Sequence, residues 1–181
     1  IARTFQNIRL FADMTALENV MVGRHTRSSS GVLGAMLRSK SFLREEAAIG
    51  AKAQELLDYV GIGHLANLRA RTLSYGDQRR LEIARALATE PQLIALDEPA
   101  AGMNGAEKMV LRQLIDKIRK DGATVLLIEH DVKLVMGLCD RLTVLDYGKV
   151  IAEGTPAEVQ KNEKVIAAYL GEEHTQGGLS A

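Results

Sequence analysis

Short apolar runs alternate with helix-like segments in the second half of the chain. Leu93–Asp97 and Thr124–Ile128 are five-residue runs of the kind that form buried parallel strands, and polar residues follow each of them. Between the runs, Asn104 and Glu107 form a capping-box pattern that predicts a helix ending near Lys120. Strands that alternate with helices predict an α/β fold with a mainly parallel sheet. Ligands of such sheets gather outside the carboxyl ends of the strands.

The first half of the chain is richer in predicted helix. Thr15 and Ser74 are suited to cap helix N-termini, because a hydroxyl oxygen can accept a hydrogen bond from a free backbone N–H group. Towards the other end, Tyr147–Gly148 separates two apolar runs and predicts a tight hairpin, and Thr155–Pro156 predicts the start of the last helical region. The helices predicted in the first half cover residues 15–22, 43–60 and 76–89, and residues 172–181 are predicted to be a disordered tail.

Composition narrows the classes of function. The chain has 181 residues, of which 46% are hydrophobic and 25% charged, as in an ordinary globular protein. Its formal net charge is zero, so no strong overall field would draw it to nucleic acid or to anionic lipid. A single cysteine excludes an internal disulfide, and no apolar run approaches the length of about 18 residues that spans a membrane.

Acidic residues stand where the first predicted strand ends. Asp97 is suited to hold Mg²⁺ through a water, and Glu98 to orient and polarise an attacking water in phosphoryl transfer. The alternative is an ordinary strand end, since many α/β proteins place an acid where a turn begins. His130 follows the next strand and could hydrogen-bond a γ-phosphate, or it could be a structural histidine. Gln6 is a plausible neutral ligand of Mg²⁺ or water and is the weakest signal when taken alone.

The segment from Leu73 to Gln78, which reads Leu-Ser-Tyr-Gly-Asp-Gln, leads into a predicted helix. A helix N-terminus with a serine cap and a glycine presents free N–H groups and a positive dipole to an anion. The same pattern also fits a well-capped amphipathic helix that packs on the core and binds nothing.

Taken together and in order, these motifs resemble the ATPase domain of ABC transporters. Phe5–Gln6 resembles that family's Q-loop, Leu73–Gly76 its signature motif, and Leu96–Pro99 its Walker B strand with catalytic glutamate. Ile128–Asp131 resembles the switch-histidine segment, and Ala100–Asn104 is similar to the D-loop. The resemblance implies ATP and Mg²⁺ as ligands and ATP hydrolysis as the reaction. It implies catalytic roles for Glu98 and His130, nucleotide binding by Gln6, Ser74, Gly76, Asp77, Gln78 and Asp97, and metal binding by Asp97 and Gln6.

The chain departs from the family pattern in two respects. Tyr75 replaces the first glycine of the signature, and Asp77 stands where glutamine is usual, so its carboxylate would be mildly repulsive to a bound γ-phosphate. No Gly-x-x-x-x-Gly-Lys-Ser/Thr loop occurs in the sequence, although that loop cradles the phosphates in the family. We therefore expect a C-terminal part of a longer subunit, with a P-loop NTPase-like, mainly parallel sheet that lacks the N-terminal strands and the Walker A loop. This part alone is expected to be inactive.

The resemblance also implies a layout for the chain. Residues 1–171 would form a partial ATPase domain, with the Q-loop at about 3–8, a helical subdomain at about 15–90, the Walker B to switch-histidine region at 93–131, and a C-terminal hairpin with helices at 140–171. The loop from Gly23 to Lys40 would be an insertion after the Q-loop. Ile8, Leu10, Phe11 and Met14 are either ordinary core or a groove for a helix of a membrane subunit.

The partners implied are a second ATPase subunit in a homo- or heterodimer, transmembrane permease subunits and, indirectly, a solute-binding protein, with no nucleic acid. ATP would lie between the subunits, with Ser74 and Gly76 acting in trans. The location implied is cytoplasmic, on the inner face of the cell membrane. Residues 144–148 and the ending Ala168–Gly171 look most like importers of branched-chain amino acids. A urea or amide importer, a lipopolysaccharide exporter and a soluble ABC ATPase of translation or DNA repair are the alternatives.

Overall fold

The computed structural model describes residues 1–25 and 40–170, and the chain divides into two compact units, Ile1–Ile128 and Glu129–Ala181. The predicted insertion falls largely, and the predicted disordered tail entirely, outside the described residues. In the first unit the strands and helices follow one another as β1 (Ala2–Arg3), α1 (Ala16–Arg24), α2 (Lys40–Tyr59), α3 (Tyr75–Leu87), β2 (Leu93–Asp97), α4 (Gly105–Lys120) and β3 (Thr124–Ile128), with short 3₁₀ turns at Gly63–Leu65 and Ala70–Thr72.

The first unit contains a parallel three-stranded sheet in the order β1–β2–β3. Ala2 pairs with Ile94 at one side of β2, and Leu93 to Asp97 pair in register with Thr124 to Ile128 at the other. The parallel sheet that the alternating pattern predicts is thus confirmed. Strand β1 has only two residues, too few to give a periodic signal, and the sequence pattern did not predict it.

The expectation that Thr124–Ile128 is a buried strand is wrong. In β3, Leu126 is 52% exposed and Ile128 is 47% exposed, whereas Ile94 and Leu96 of β2 are fully buried. The reason is position in the sheet. Among the described residues, β3 is an edge strand that pairs only with β2. A similarly apolar run is therefore covered in the central strand and partly exposed in the edge strand.

Capping explains where the helices of the first unit begin. Thr15 and Asn104 each form a full capping box, with Glu18 at α1 and Glu107 at α4, as the sequence predicts. Helix α2 ends before Gly61, whose φ of 80° only glycine adopts without strain. The core of this unit is apolar and includes Val20, Leu57, Leu81, Ile83, Leu96, Leu111 and Ile115, all nearly inaccessible to solvent.

The second unit contains α5 (Val132–Leu138), the antiparallel pair β4 (Leu142–Asp146) and β5 (Lys149–Gly154), then α6 (Pro156–Val159), α7 (Glu163–Val165) and a π-helical turn at Ile166–Leu170. The predicted hairpin is confirmed: Tyr147 and Gly148 both have positive φ, at 45° and 76°, as a two-residue turn of this hand requires. Across the part of the chain that is described, no helix is both long and apolar enough to cross a bilayer.

Candidate functional site

The end of β2 carries the two acids that the sequence singles out. Glu98 has a φ of 42°, a left-handed conformation that is uncommon for a residue with a side chain, and its N–H donates to the carbonyl of Ile128 at 2.9 Å. Backbone held in such a region costs about 1–3 kcal/mol and is concentrated at functional sites. The turn therefore fixes the position from which the Glu98 side chain extends away from the sheet.

Gln6 lies against Glu98. Its amide nitrogen donates to a carboxylate oxygen of Glu98 at 2.8 Å, across 92 residues of sequence. On the same edge, the Arg3 guanidinium donates to Asp97 at 2.9 Å, and the Asp97 side chain is 21% exposed. The structure thus brings together three of the predicted residues, Gln6, Asp97 and Glu98, at the carboxyl end of the sheet.

Ser74 caps α3 as the sequence predicts. Its hydroxyl accepts from the N–H of Asp77 at 3.2 Å and donates to the Asp77 carboxylate at 2.6 Å. The other oxygen of that carboxylate is ion-paired with Arg80. The Asp77 charge is therefore engaged on two sides, by a hydroxyl and by a guanidinium, at the N-terminus of a 13-residue helix.

The other signature residues have local partners as well. Gln78 donates from its amide to the carbonyl of Leu73 at 3.0 Å. Gly76 is buried, and a β-carbon there would lie 2.9 Å from the carboxylate of Glu107. The glycine thus lets the start of α3 approach the start of α4, a packing reason for this residue that the sequence does not reveal. The ring of Tyr75 faces Gly102, where a β-carbon would lie 3.4 Å from it.

His130 belongs to the second unit, two residues after β3 ends. Its side chain is 69% exposed, and its Nδ1 lies 3.9 Å from the carboxylate of Glu129, a residue whose own side chain is 1% exposed. The proposed contact of this imidazole with a γ-phosphate remains a prediction.

Comparison with known proteins identifies the family. The family model described as "ABC transporter" matches residues 1–101, more than half of the chain. The chain belongs to the ABC transporter family. A second family model, "Branched-chain amino acid ATP-binding cassette transporter", matches residues 149–175.

Individual ABC proteins give the same result. The high-affinity branched-chain amino acid transport ATP-binding protein LivG of Escherichia coli K12 is 46% identical over 173 residues, which are 95% of this chain and 68% of LivG. BraF of Pseudomonas aeruginosa, which has the same description, is also 46% identical, over 95% of this chain and 68% of BraF. The lipopolysaccharide export protein LptB of E. coli K12 is 39% identical over 67% of this chain and 51% of LptB.

Solved ABC structures share the fold. An ATP-binding cassette of an ABC transporter in its ADP conformation superposes with a TM-score of 0.75 at 32% identity, over 94% of this chain and 68% of that one. A dimeric ATP-binding cassette bound to ADP and phosphate gives a TM-score of 0.68 at 28% identity, over 86% and 63%. The P-loop NTPase-like class is confirmed. The chain belongs to the ATPase subunit of an ABC transporter, and members of this family bind nucleotide.

Sequence reasoning missed four residues of this site. Arg3 is the partner of Asp97 across 94 residues, which no local pattern indicates, whereas Arg80 lies three residues from its partner Asp77 on α3, a spacing that favours an ion pair. Arg79 and Glu82 form an ion pair in which both side chains are only 2% exposed. A signal for that pair did exist. The two charges are three residues apart and share the buried face of α3 with Gly76, Ile83 and Ala86.

The residues present fit a magnesium ion that a nucleotide would help to hold. Mg²⁺ takes oxygen ligands and is usually bound by one or two carboxylates together with phosphates and waters. Asp97 offers a carboxylate. Gln6 donates to Glu98 through its amide nitrogen, so its amide oxygen is the atom that would bind the metal. Within the described residues there is no cluster of three or more acidic, histidine or cysteine side chains, so an all-protein metal cage is not what this donor set resembles.

A groove in the first unit is lined in part by Gln92 and Leu93, at the end of β2 opposite to Asp97 and Glu98. It has a volume of about 1080 Å³, and Phe11, Val22 and Arg85 are among its lining residues. Phe11 is 46% exposed, and the guanidinium of Arg85 lies 5.7 Å from its ring centre. Burial lowers the pKa of Arg85. Asn19, which is fully buried, holds Phe11 in place: its side chain accepts from the Phe11 N–H at 2.9 Å and donates to the Phe11 carbonyl at 3.0 Å.

Proposed function

We propose that this chain energises the import of branched-chain amino acids as the ATP-hydrolysing subunit of an ABC importer. The observation that carries the proposal is the 46% identity to LivG and BraF over 95% of the chain. The match of residues 149–175 to the branched-chain amino acid family model supports the same solute class. LptB supports the lipopolysaccharide alternative less well, because its identity is lower and its coverage smaller.

We propose that Glu98 is the general base of hydrolysis. Its carboxylate extends from a fixed turn at the carboxyl end of β2, and the Gln6 amide holds one of its oxygens at 2.8 Å. Such a contact restricts the rotation of the carboxylate, which would accept a proton from the attacking water. When bound, Mg²⁺ would neutralise charge that develops on the transferred phosphoryl group, and Asp97 and Gln6 are the residues that would hold it. His130 is proposed to hydrogen-bond the γ-phosphate.

We propose that the N-terminus of α3 binds nucleotide held by a second ATPase subunit. Free N–H groups and a positive dipole favour an anion there, and Ser74 adds a hydroxyl. Gly76, Asp77 and Gln78 are the neighbouring residues that would approach the phosphates. The dimeric ATP-binding cassette described above supports an assembly in which two such chains meet.

The groove beside Phe11 is the proposed docking place of a transmembrane permease subunit. Phe11 and Met14 are exposed apolar side chains, at 46% and 39%, on a loop that Asn19 holds rigid. Apolar side chains on a fixed support suit the insertion of a partner helix. Docking there would place the subunit on the inner face of the membrane. A solute-binding protein on the opposite face would then act on the subunit through the permease.

The decisive experiment replaces Glu98 in the protein expressed from its complete open reading frame, together with its permease subunits and its solute-binding protein. Glu98→Gln should preserve ATP binding and reduce turnover by roughly 10²–10⁴-fold, because the substituted amide cannot accept the proton. Glu55→Gln is the control, since Glu55 is an exposed glutamate of α2 whose carboxylate pairs with Lys52 at 2.8 Å. Turnover that survives in Glu98→Gln would refute the assignment. Uptake of radiolabelled leucine tests the solute, and ATPase activity without leucine uptake would reject the proposed cargo.

A further inference from the structure

Arg79 is a buried cation with acceptors on two segments of the first unit. The residue is 1% exposed, and its Nη1 donates to the Phe5 carbonyl at 2.6 Å and to Glu82 at 3.2 Å. Its Nη2 donates to the Gln6 carbonyl and, at 3.0 Å, to the hydroxyl of Tyr75. One guanidinium therefore joins the backbone of the Q-loop segment (residues 3–8) to helix α3.

Glu82 completes this connection from the other side. Its second oxygen accepts from the N–H of Arg9 at 3.4 Å, just beyond the Q-loop segment. Removing two charges from water is costly, and the attraction between them repays that cost only where further hydrogen bonds satisfy both groups. Here those further bonds go to the backbone of residues 5, 6 and 9 and to the Tyr75 hydroxyl, while the buried Nε of Arg79 has no partner in the described part of the chain. The pair thus fixes the path of one specific loop.

Gln6 transmits the position of this loop to the end of β2. Arg79 binds the Gln6 carbonyl, while the Gln6 amide binds Glu98 at 2.8 Å. Tyr75 extends the connection in the other direction, because its hydroxyl accepts from Arg79 and its ring faces Gly102. Tyr75 is also the residue that departs from the family's usual glycine, so this part of the connection is specific to chains with tyrosine there.

We propose that Arg79 is a positioning residue for hydrolysis, which acts through the backbone of Gln6 on the orientation of Glu98, and that Tyr75 holds Arg79 in place. The inference rests on the proposed function of Glu98. It assigns to the buried pair Arg79–Glu82, and to the tyrosine of the signature, a role in setting the geometry of the general base.

The test is a double-mutant cycle on kcat in the full-length protein with its permease subunits. Arg79→Lys keeps the positive charge but loses the fork that binds two carbonyls, and a displacement of about 1 Å at a reacting group can lower a rate by up to roughly 10²-fold. We expect Arg79→Lys and Gln6→Ala each to lower kcat by roughly tenfold or more, and the double variant to be no slower than the slower single variant. Multiplying losses would overturn the proposal, because Arg79 would then act independently of the Gln6 side chain.

Two further measurements keep the outcome clear. Hydrogen–deuterium exchange of the amides at residues 6–9 should accelerate in Arg79→Lys and stay unchanged in Arg119→Lys, a control that alters another arginine paired with an acid three residues away. If Arg79→Lys does not fold, Tyr75→Phe replaces it. When Gln6 is unchanged, loss of the Tyr75 hydroxyl should lower kcat severalfold with little change in KM. In the Gln6→Ala variant, the same loss should leave kcat unchanged.

The result can be separated from failure of the proposed function. If Glu98→Gln retains turnover, the assignment of the general base is wrong, whatever the cycle shows. If Glu98→Gln abolishes turnover and the losses in Arg79→Lys and Gln6→Ala nevertheless multiply, the general base stands and the positioning role of Arg79 is rejected. Unchanged exchange at residues 6–9 in Arg79→Lys would also reject it.

Discussion

Two glycines in helices should respond to the same substitution with opposite signs. Gly23 lies near the end of α1, where a β-carbon would come within 2.4 Å of the backbone carbonyl oxygen of Arg85 and 3.2 Å of the Ala88 methyl group. Gly50 lies within α2, and a β-carbon there would meet nothing within 4 Å. The first glycine allows α1 to contact α3 closely, whereas the second serves no contact that the structure shows.

The magnitudes follow from these distances. Alanine is favoured over glycine inside a helix by roughly 0.5–1 kcal/mol, so Gly50→Ala should raise the free energy of unfolding by that amount. At Gly23 the same gain is opposed by overpacking, which costs about 1–3 kcal/mol. The clash is with backbone, so no side-chain rotation relieves it. Gly23→Ala should therefore lower the free energy of unfolding by about 1–2 kcal/mol.

Urea unfolding followed by far-UV circular dichroism measures both changes in the same protein. At about 2–4 °C per kcal/mol for a chain of this size, the two variants should also move the melting temperature in opposite directions. Equal stability of Gly23→Ala and the unsubstituted protein would refute the reasoning, because it would mean that α1 and α3 can separate at no cost. A destabilised Gly50→Ala would show that the face of α2 at this glycine is covered.

Three further predictions concern the site and its supports. Ser74→Ala should impair ATP-dependent association of two subunits more than it impairs nucleotide binding by one, as size-exclusion chromatography and equilibrium binding would show, and equal losses would argue against the role in trans. Asn19→Ala should lower the free energy of unfolding by about 1–3 kcal/mol in urea unfolding, because it leaves the Phe11 N–H and carbonyl without their partner. Burial, with the hydrogen bond and charge of Asp121, raises the pKa of Tyr59, so its contribution to stability should be complete below about pH 10 and decline above it. An ultraviolet titration in which Tyr59→Phe keeps the tyrosine transition of highest pKa would contradict this.

The sequence predicted most of what depends on neighbouring residues. Capping boxes at Thr15 and Asn104 involve residues only three positions apart, so a linear pattern contains all the information needed. The hairpin at Tyr147–Gly148 is local in the same way.

What depends on distant contacts could not be predicted. The bond from Gln6 to Glu98 spans 92 residues, and the bonds from Arg79 to the Q-loop segment span 73 and 74. Burial of β3 was misjudged for the same reason, because an apolar run carries no information on whether a neighbouring strand covers it. The sequence indicated which residues would gather at the sheet edge through the resemblance to a family, and only the structure shows which atoms meet.

The acid in the signature illustrates how a local contact changes an expectation based on charge alone. A carboxylate at Asp77 would repel a phosphate if it stood free at the helix N-terminus. Instead it is paired with Arg80 and with the Ser74 hydroxyl, and it also lies where the helix dipole favours negative charge. A phosphate that binds Ser74 must therefore compete with Asp77 for one hydroxyl proton, and Arg80 remains to hold the released carboxylate. The cost of the acid is thus a competition for one hydrogen bond, which local rearrangement can relieve, and not an uncompensated repulsion between two anions.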